Sequence, residues 1–236
     1  MTRELAGRSW ITLSAVHARW VLRTTWRNGE QLLLLVGIPL AALFAISRTD
    51  LLSTTTSPLV ITAVMVVLAA GFTSPAITLA FERRYGSFAF LGTTPLPRSA
   101  IVAGSLGAIL IGALVAIGVI AAVAAALGGV ASTSVIALFS TVVLGLCATV
   151  PWAFVLGGTV TSETVLVLAN GIFVLATLFG GVLIPASSLP YGGLLEWLPT
   201  GALVELATSA TITNIVVLLT WAAVGTLLAV RWFWWR

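Results

Sequence analysis

The charged groups with the clearest chemical use lie in one stretch, FERRYGSFAFLGTTPLPR, from Phe81 to Arg98. Its three arginines can pair with carboxylates or with phosphate groups, so a partner protein and a lipid surface both suit them. Pro95 and Pro97 fix φ and stop the chain from continuing as a helix, and Gly86 allows a tight approach of the backbone. These residue types indicate a stiff connector with an exposed charged side.

The same stretch has an apolar side. Phe88, Phe90 and Leu91 could fill a groove on a partner, as docked peptides do. An amphipathic connector held by lipid alone explains the composition equally well, and the residue types by themselves leave both interpretations open.

Other kinds of chemistry have little support. One cysteine, Cys147, and one histidine, His17, leave no metal site rich in these residues and no nucleophilic Ser/His/Asp or Cys/His set. The chain has no lysine and no G-x-x-x-x-G-K-[ST] loop, so we expect no ATP hydrolysis by this chain alone. No Asp or Glu falls deep in an apolar run, which disfavours an ion-coupled carrier. We expect no enzyme activity, no bound metal and no nucleic-acid partner.

The composition is that of an integral membrane protein. Of the 236 residues, 59% are hydrophobic and 8% are charged, and the mean hydropathy is +1.15. Soluble domains carry about 25% charged residues, so too few charges are present to cover a surface in water. Arginines interrupt the N-terminal region, and we expect no cleavable signal peptide.

Six apolar runs have the length of about 20 residues that a membrane-spanning helix needs. They are approximately Leu32–Ser47, Pro58–Ala80, Ala100–Leu127, Val135–Val160, Leu166–Ile184 and Ile212–Val230. With both termini in the cytoplasm, ten of the eleven arginines fall on the inner side and only Arg48 falls outside. The expected fold is all-α and polytopic, with six transmembrane helices in a single domain of residues 1–236.

Two segments outside the spans also have helical patterns. In residues 9–27, Arg19, Arg23 and Arg27 recur on one face. Another face carries Trp10, Leu13, His17, Trp20 and Val21. This predicts a helix lying in the inner interface, where anionic lipid attracts the basic face. Residues 185–210 contain three prolines and a Gly-Gly pair between short apolar pieces, which predicts two short re-entrant or outer helices.

A few residues inside the spans invite a specific role. Asn170 and Thr177 are seven apart in the fifth span and so share a face; Asn170 could bind a substrate or hydrogen-bond another helix. We expect Pro75 and Pro151 to kink their spans and Trp152 to anchor at the interface. Close helix contact is expected from four glycines of the third span, Gly104, Gly107, Gly112 and Gly118.

The charged stretch also has a family pattern, E-R-x-x-G-S, then Leu, then T-P-L-x-R. It is present as Glu82-Arg83, Gly86-Ser87, Leu91, Thr94-Pro95-Leu96 and Arg98. This resembles the cytoplasmic loop of ABC-2 type permeases. The segments LRTTWRNGEQLLLLVGIPL and FGGVLIPASSLPYGGLLEWLPTGALVELA resemble the family's interfacial helix with its first span and its outer segment. These sequence segments are most similar to those of small actinobacterial permeases for drug or antibiotic export.

The resemblance implies a membrane subunit of an ATP-driven exporter in the bacterial plasma membrane. Two copies, most simply a homodimer, would associate with two ABC ATPase subunits that bind ATP and Mg²⁺, in contact with membrane lipids. The cargo would be hydrophobic or amphipathic, resembling a drug, an antibiotic or a lipid. Residues 82–98 would form the coupling loop to the ATPase, through Glu82, Arg83, Arg84, Gly86, Phe88, Leu91, Thr94, Pro95, Leu96 and Arg98. Asn170 and Thr177 would lie on the substrate path.

The chain departs from the family pattern at three places. Arg84 stands where a second acidic residue is frequent, and Gly104-Ser105 where a lysine is common. Residues Leu198 to Ala202 replace a frequent N-P-L-x-Y. Two other functions stay open: a passive membrane subunit that anchors another protein, and an ion-coupled secondary carrier.

Overall fold

The computed structural model describes residues 9–48, 57–86, 97–127, 134–184, 186–209 and 211–232. Within these ranges the chain is helical and contains no strand, which confirms the predicted fold class. Six helices are long and apolar enough to cross a membrane, and we number them as spans one to six. They are Gly29–Arg48, Pro58–Arg84, Ser99–Ala126, Val135–Thr159, Ser162–Phe179 and Ile212–Trp232.

An N-terminal helix, Trp10–Arg27, precedes the first span. The side chain of Ser9 accepts a hydrogen bond from the Thr12 N–H and so caps it. Asn28 then separates this helix from the first span, and its Oδ1 accepts from the backbone of Glu30 and Gln31. One residue therefore ends the N-terminal helix and starts the first span.

The first and second spans each contain one wide π turn directly before a proline. The N–H of Ile38, just before Pro39, donates to the carbonyl of Leu33 five residues back. The N–H of Ser74, just before Pro75, donates in the same way to Ala69. Proline has no N–H and its ring crowds the preceding turn, and one longer turn relieves this crowding. Pro151, by contrast, lies within a helix that runs unbroken from Val135 to Thr159.

The second span is the centre of the bundle. In its most apolar window 78% of the residues are buried, against 17% to 39% in the other five spans. The fourth span packs closely on it, because a Cβ at Gly145 would lie 2.6 Å from Val67 Cγ1 and one at Gly157 would lie 2.5 Å from the Ala76 carbonyl oxygen. Glycines of the fourth span, which the sequence did not single out, allow this contact.

In the third span, fewer glycines than expected make close helix contacts. A Cβ at Gly104 would lie 2.6 Å from the carbonyl oxygen of Ser14 in the N-terminal helix. At Gly107, Gly112 and Gly118 it would meet nothing within 4 Å. Only the first of the four glycines therefore permits a close helix contact within the described part of this chain.

The fifth span ends at Phe179, five residues before the end of the predicted apolar run. Gly181 has φ +83°, a conformation that favours glycine, and the helix ends just before it. Hydropathy alone could not reveal this, because the chain stays apolar as far as Ile184.

The outer segment contains a 3-10 turn, Ala186–Ser188, one helical turn, Gly192–Leu195, and a longer outer helix, Pro199–Thr208. The Nε1 of Trp221 donates to the carbonyl oxygen of Trp197 at 2.8 Å. Trp221 lies nine residues into the sixth span, about 13 Å along a helix. The outer segment therefore contacts the sixth span at this position, and Leu203 and Leu206 of the outer helix that follows are buried.

The sequence predicts that Trp152 anchors at the membrane interface, and the structure shows its contacts with the sixth span. Trp152 is seven residues from the end of the fourth span, about 10 Å along a helix. Its Nε1 donates to the carbonyl oxygen of Trp221 at 3.1 Å, and the two rings lie 5.1 Å apart. Gly225 leaves room for the indole, since a Cβ there would lie 2.7 Å from Trp152 Nε1.

Candidate functional site

The candidate coupling region begins where the second span ends. Its last residues, Glu82 to Arg84, are helical, and Gly86 follows with φ +69°. A Cβ at Gly86 would meet nothing within 4 Å. The glycine therefore serves the backbone conformation of the helix end, and no described residue approaches it tightly.

Arg83 binds the end of the neighbouring fourth span. Its Nη1 donates to the carbonyl oxygens of Gly157 at 2.7 Å and Val160 at 3.4 Å. The last carbonyls of a helix have no partner within the helix and carry partial negative charge. Arg83 therefore caps the fourth span from outside it.

Arg84 reaches the start of the fifth span. Its Nη1 donates to Ser162 Oγ at 3.2 Å and forms an ion pair with Glu163. Both side chains are more than half exposed, at 52% and 64%, so this pair faces outward. Together, Arg83 and Arg84 connect the second span to the junction of spans four and five.

The rest of the predicted coupling loop is only partly visible. Phe88, Leu91, Thr94, Pro95 and Leu96 lie outside the described residues. For Arg98 the structure describes the backbone alone, at the start of the helix that becomes the third span.

The N-terminal helix docks on the first turns of the third span. Trp10 Nε1 donates to Ser99 Oγ at 3.1 Å, and His17 Nε2 lies 3.1 Å from Ser105 Oγ. Gly104 provides the room, as described above. The Gly104-Ser105 pair, which departs from the family pattern, thus forms the contact surface on which the N-terminal helix packs.

The two faces of the N-terminal helix differ as the sequence predicted. Leu13 and His17 are buried against the bundle, and burial lowers the pKa of His17. The three arginines at positions 19, 23 and 27 are exposed. Trp10 and Trp20 stay about half exposed, as indole rings at a membrane interface do.

A cavity of about 430 Å³ lies between the N-terminal helix and the ends of spans one, two and three. We call it the inner cavity. Glu30 and Glu82 are the charged residues that line it, beside Gln31, whose Nε2 donates to Thr78 Oγ1 at 2.8 Å. Its walls also include the aromatic side chains His17, Trp20, Phe81 and Tyr85.

A larger cavity of about 830 Å³ lies nearer the other face of the bundle. We call it the outer cavity. Spans two, four, five and six and the outer segment enclose it, and Thr149 and Thr200 are among the few polar side chains on its walls. Its aromatic lining consists of Phe72, Trp152, Phe179, Tyr191 and Trp221.

The two residues predicted for the substrate path line neither of these cavities. Asn170 Nδ2 donates to the Leu166 carbonyl oxygen at 2.9 Å, one turn back in its own helix. Thr177 is buried, and its hydroxyl has no hydrogen-bond partner among the described residues. Ile172, Leu175 and Ala176 of the same span line the outer cavity instead, on a face without a polar signal in the sequence.

A family model described as ABC-2 type transporter matches residues 15–216. This range includes most of the N-terminal helix, the first five spans, the outer segment and the start of the sixth span. No curated protein matches the chain significantly.

Proposed function

The chain belongs to the ABC-2 type transporter family, and from this premise we propose that it exports hydrophobic or amphipathic compounds. Members of the family are the membrane components of ABC transporters and work with ATPase partners. The chain is accordingly a multi-pass membrane protein and a permease component. The direction of transport and the class of cargo are the proposal.

The outer cavity is the observation that carries the choice of cargo. Its volume of about 830 Å³ lies within the range of roughly 300–1,000 Å³ found for small-molecule sites. Aromatic and aliphatic side chains from four spans and the outer segment line it. Such a wall suits a drug-like or lipid-like molecule and gives no counter-charge to a highly charged one.

Coupling to the ATPase is assigned to residues 82–98 and to the N-terminal helix. ATP and Mg²⁺ would be bound by two partner ATPase subunits, whose closure presses on this region. Through the contacts of Arg83 and Arg84, the movement of the ATPase would pass directly to spans four and five. The second span, buried at the centre of the bundle, would then transmit it to the outer cavity.

We assign the chain a single membrane domain that pairs with a second copy of itself. The arginine-rich end would face the cytoplasm of a bacterial cell, with both termini on that side, because positive residues are retained there. A homodimer is the simplest assembly, since symmetric pairing is the commonest oligomer.

The test is ATP-dependent transport by the permease reconstituted with its ATPase in inverted vesicles. Ala176→Trp would place an indole in the outer cavity, and Ala122→Trp, on an exposed face of the third span, is the matched control. We expect the first variant to assemble and hydrolyse ATP but to lose most of the transport of amphipathic fluorescent dyes. The control should transport them normally.

Three results would contradict the proposal. Transport that follows an ion gradient without ATP would indicate a secondary carrier. A permease that binds no ATPase and transports no dye would indicate a passive anchoring subunit. Equal transport by both tryptophan variants would remove the outer cavity from the path.

A further inference from the structure

The charged residues described in the lining of the inner cavity are acidic, although the cavity lies at the arginine-rich end of the bundle. The topology placed ten of the eleven arginines at that end. Yet no arginine is among the described residues that line it, and its charged lining groups are the carboxyl groups of Glu30 and Glu82. The described lining of the cavity is therefore acidic.

The arginines nearest in sequence are engaged elsewhere. Arg83 donates to the fourth span and Arg84 pairs with Glu163, so neither neutralises Glu82. Among the described residues Glu82 has no ion-pair or hydrogen-bond partner, although it is less exposed than Arg84 and Glu163. A half-buried carboxylate that no described residue pairs with is costly, and a bound cation offsets that cost.

The aromatic lining restricts the kind of cation. The rings of His17 and Trp20 stack with centroids 6.0 Å apart, as do those of Phe81 and Tyr85. Aromatic faces attract ammonium groups, and such surfaces recognise alkylated ammonium in particular. Burial lowers the pKa of His17, so this ring adds no competing positive charge at neutral pH. Among the described residues, no group of three His, Cys, Asp or Glu side chains could hold a metal ion.

We infer that the inner cavity binds the substituted ammonium group of an amphipathic organic cation, with Glu82 as the counter-charge and Trp20, Phe81 and Tyr85 as aromatic contacts. Its volume of about 430 Å³ accommodates such a group with part of its apolar body. As a statement about cargo this rests on the proposed function, but binding itself needs neither ATP nor an ATPase.

The test is equilibrium binding to the full-length protein, purified in uncharged maltoside micelles without ATP. One probe is a dansyl-labelled alkyltrimethylammonium, and the other is its neutral isostere, in which a tert-butyl group replaces the trimethylammonium. Fluorescence anisotropy gives the affinity of each probe. Glu82→Gln is the test variant, and Glu196→Gln, on the exposed outer segment, is the matched control.

We expect the wild type to bind the ammonium probe about tenfold or more tightly than the isostere, as a desolvated charge pair predicts. Glu82→Gln should remove that preference and keep the affinity for the isostere, which also shows that the variant is folded. Glu30→Gln, at a more exposed carboxyl, should weaken the ammonium probe only about twofold. Glu196→Gln should change neither affinity.

Competition experiments distinguish an ammonium group of a cargo molecule from that of a lipid headgroup. Displacement of the probe by a soluble alkylammonium, but not by a short-chain phosphatidylethanolamine, supports cargo; displacement only by the lipid would show a headgroup site and overturn the cargo assignment. Equal binding of both probes to the wild type, or an unchanged preference in Glu82→Gln, would overturn the inference. Either result alongside intact ATP-driven transport would leave the proposed function standing.

Discussion

Arg83 Nη1 donates a hydrogen bond to the carbonyl oxygen of Gly157 at 2.7 Å, which joins the last turn of the second span to the last turn of the fourth. In sequence, Arg83 and Arg84 are equivalent neighbours, both available to a partner protein. In the structure Arg84 is more than half exposed, whereas Arg83 is partly buried. Arg83 is an internal link of the bundle, and the two residues should therefore respond differently to mutation.

Arg83→Gln should lower stability and uncouple transport, whereas Arg84→Gln should affect stability little. Arg83 makes charge-assisted hydrogen bonds to helix-end carbonyls, each worth about 1.5–3 kcal/mol. The exposed pair of Arg84 with Glu163 is worth about 0–1 kcal/mol. Thermal unfolding of the purified variants, followed by ATP-dependent dye transport, distinguishes them. Equal melting temperatures for the two variants would refute the internal role of Arg83.

Gly157→Ala should separate the second and fourth spans. The new methyl would lie 2.5 Å from the Ala76 carbonyl oxygen, and overpacking of this kind costs about 1–3 kcal/mol. Gly112→Ala is the matched control, because nothing lies within 4 Å of a Cβ there and alanine favours a helix by up to about 1 kcal/mol. We expect a lower melting temperature for the first variant and an equal or higher one for the control. The reverse order would contradict the packing described here.

Gly104→Ala should loosen the N-terminal helix from the third span. Its methyl would lie 2.6 Å from the Ser14 carbonyl oxygen, and a backbone atom of a packed helix cannot easily move aside. Trypsin cleavage at Arg19 and Arg23 measures the release, since exposed and detached segments are cut faster. Gly107→Ala, with open space around its Cβ, should be cut at the wild-type rate. Identical rates for both variants would mean that Gly104 does not seat the helix.

The parts of this fold that the sequence predicted are those set by local composition. The six spans follow from the length of apolar runs, and the N-terminal helix follows from the spacing of its arginines. The expected start of the first span was three residues late, because Asn28 caps a polar first turn that hydropathy does not count. The second span likewise continues through charged residues to Arg84.

The parts that the sequence did not predict depend on contacts between distant residues. The fourth-span carbonyls that Arg83 binds have no side-chain signal, so this link could not be read from residue types. The pairing of Trp152 with Trp221 needs the crossing of two spans, and the position of the outer segment needs its bond to Trp221. Asn170 and Thr177 attracted attention as polar residues, while the cavity wall formed on an apolar face of the same helix.

His17 should make the docking of the N-terminal helix depend on pH. Burial lowers the pKa of His17 below its usual 6.5, so the docked state binds fewer protons than the undocked one. Docking is then fully favoured above 6.5 and weakens as the pH falls from there through the lower pKa of the docked state. Melting temperatures between about pH 5 and pH 7.5 should therefore fall toward acid. In His17→Gln, which keeps a polar group near Ser105, this decline should be smaller. A decline of equal size in the wild type and in His17→Gln would show that His17 does not set this pH dependence. Glu30 and Glu82 line the same cavity, so the comparison is repeated in Glu82→Gln, where the decline should persist.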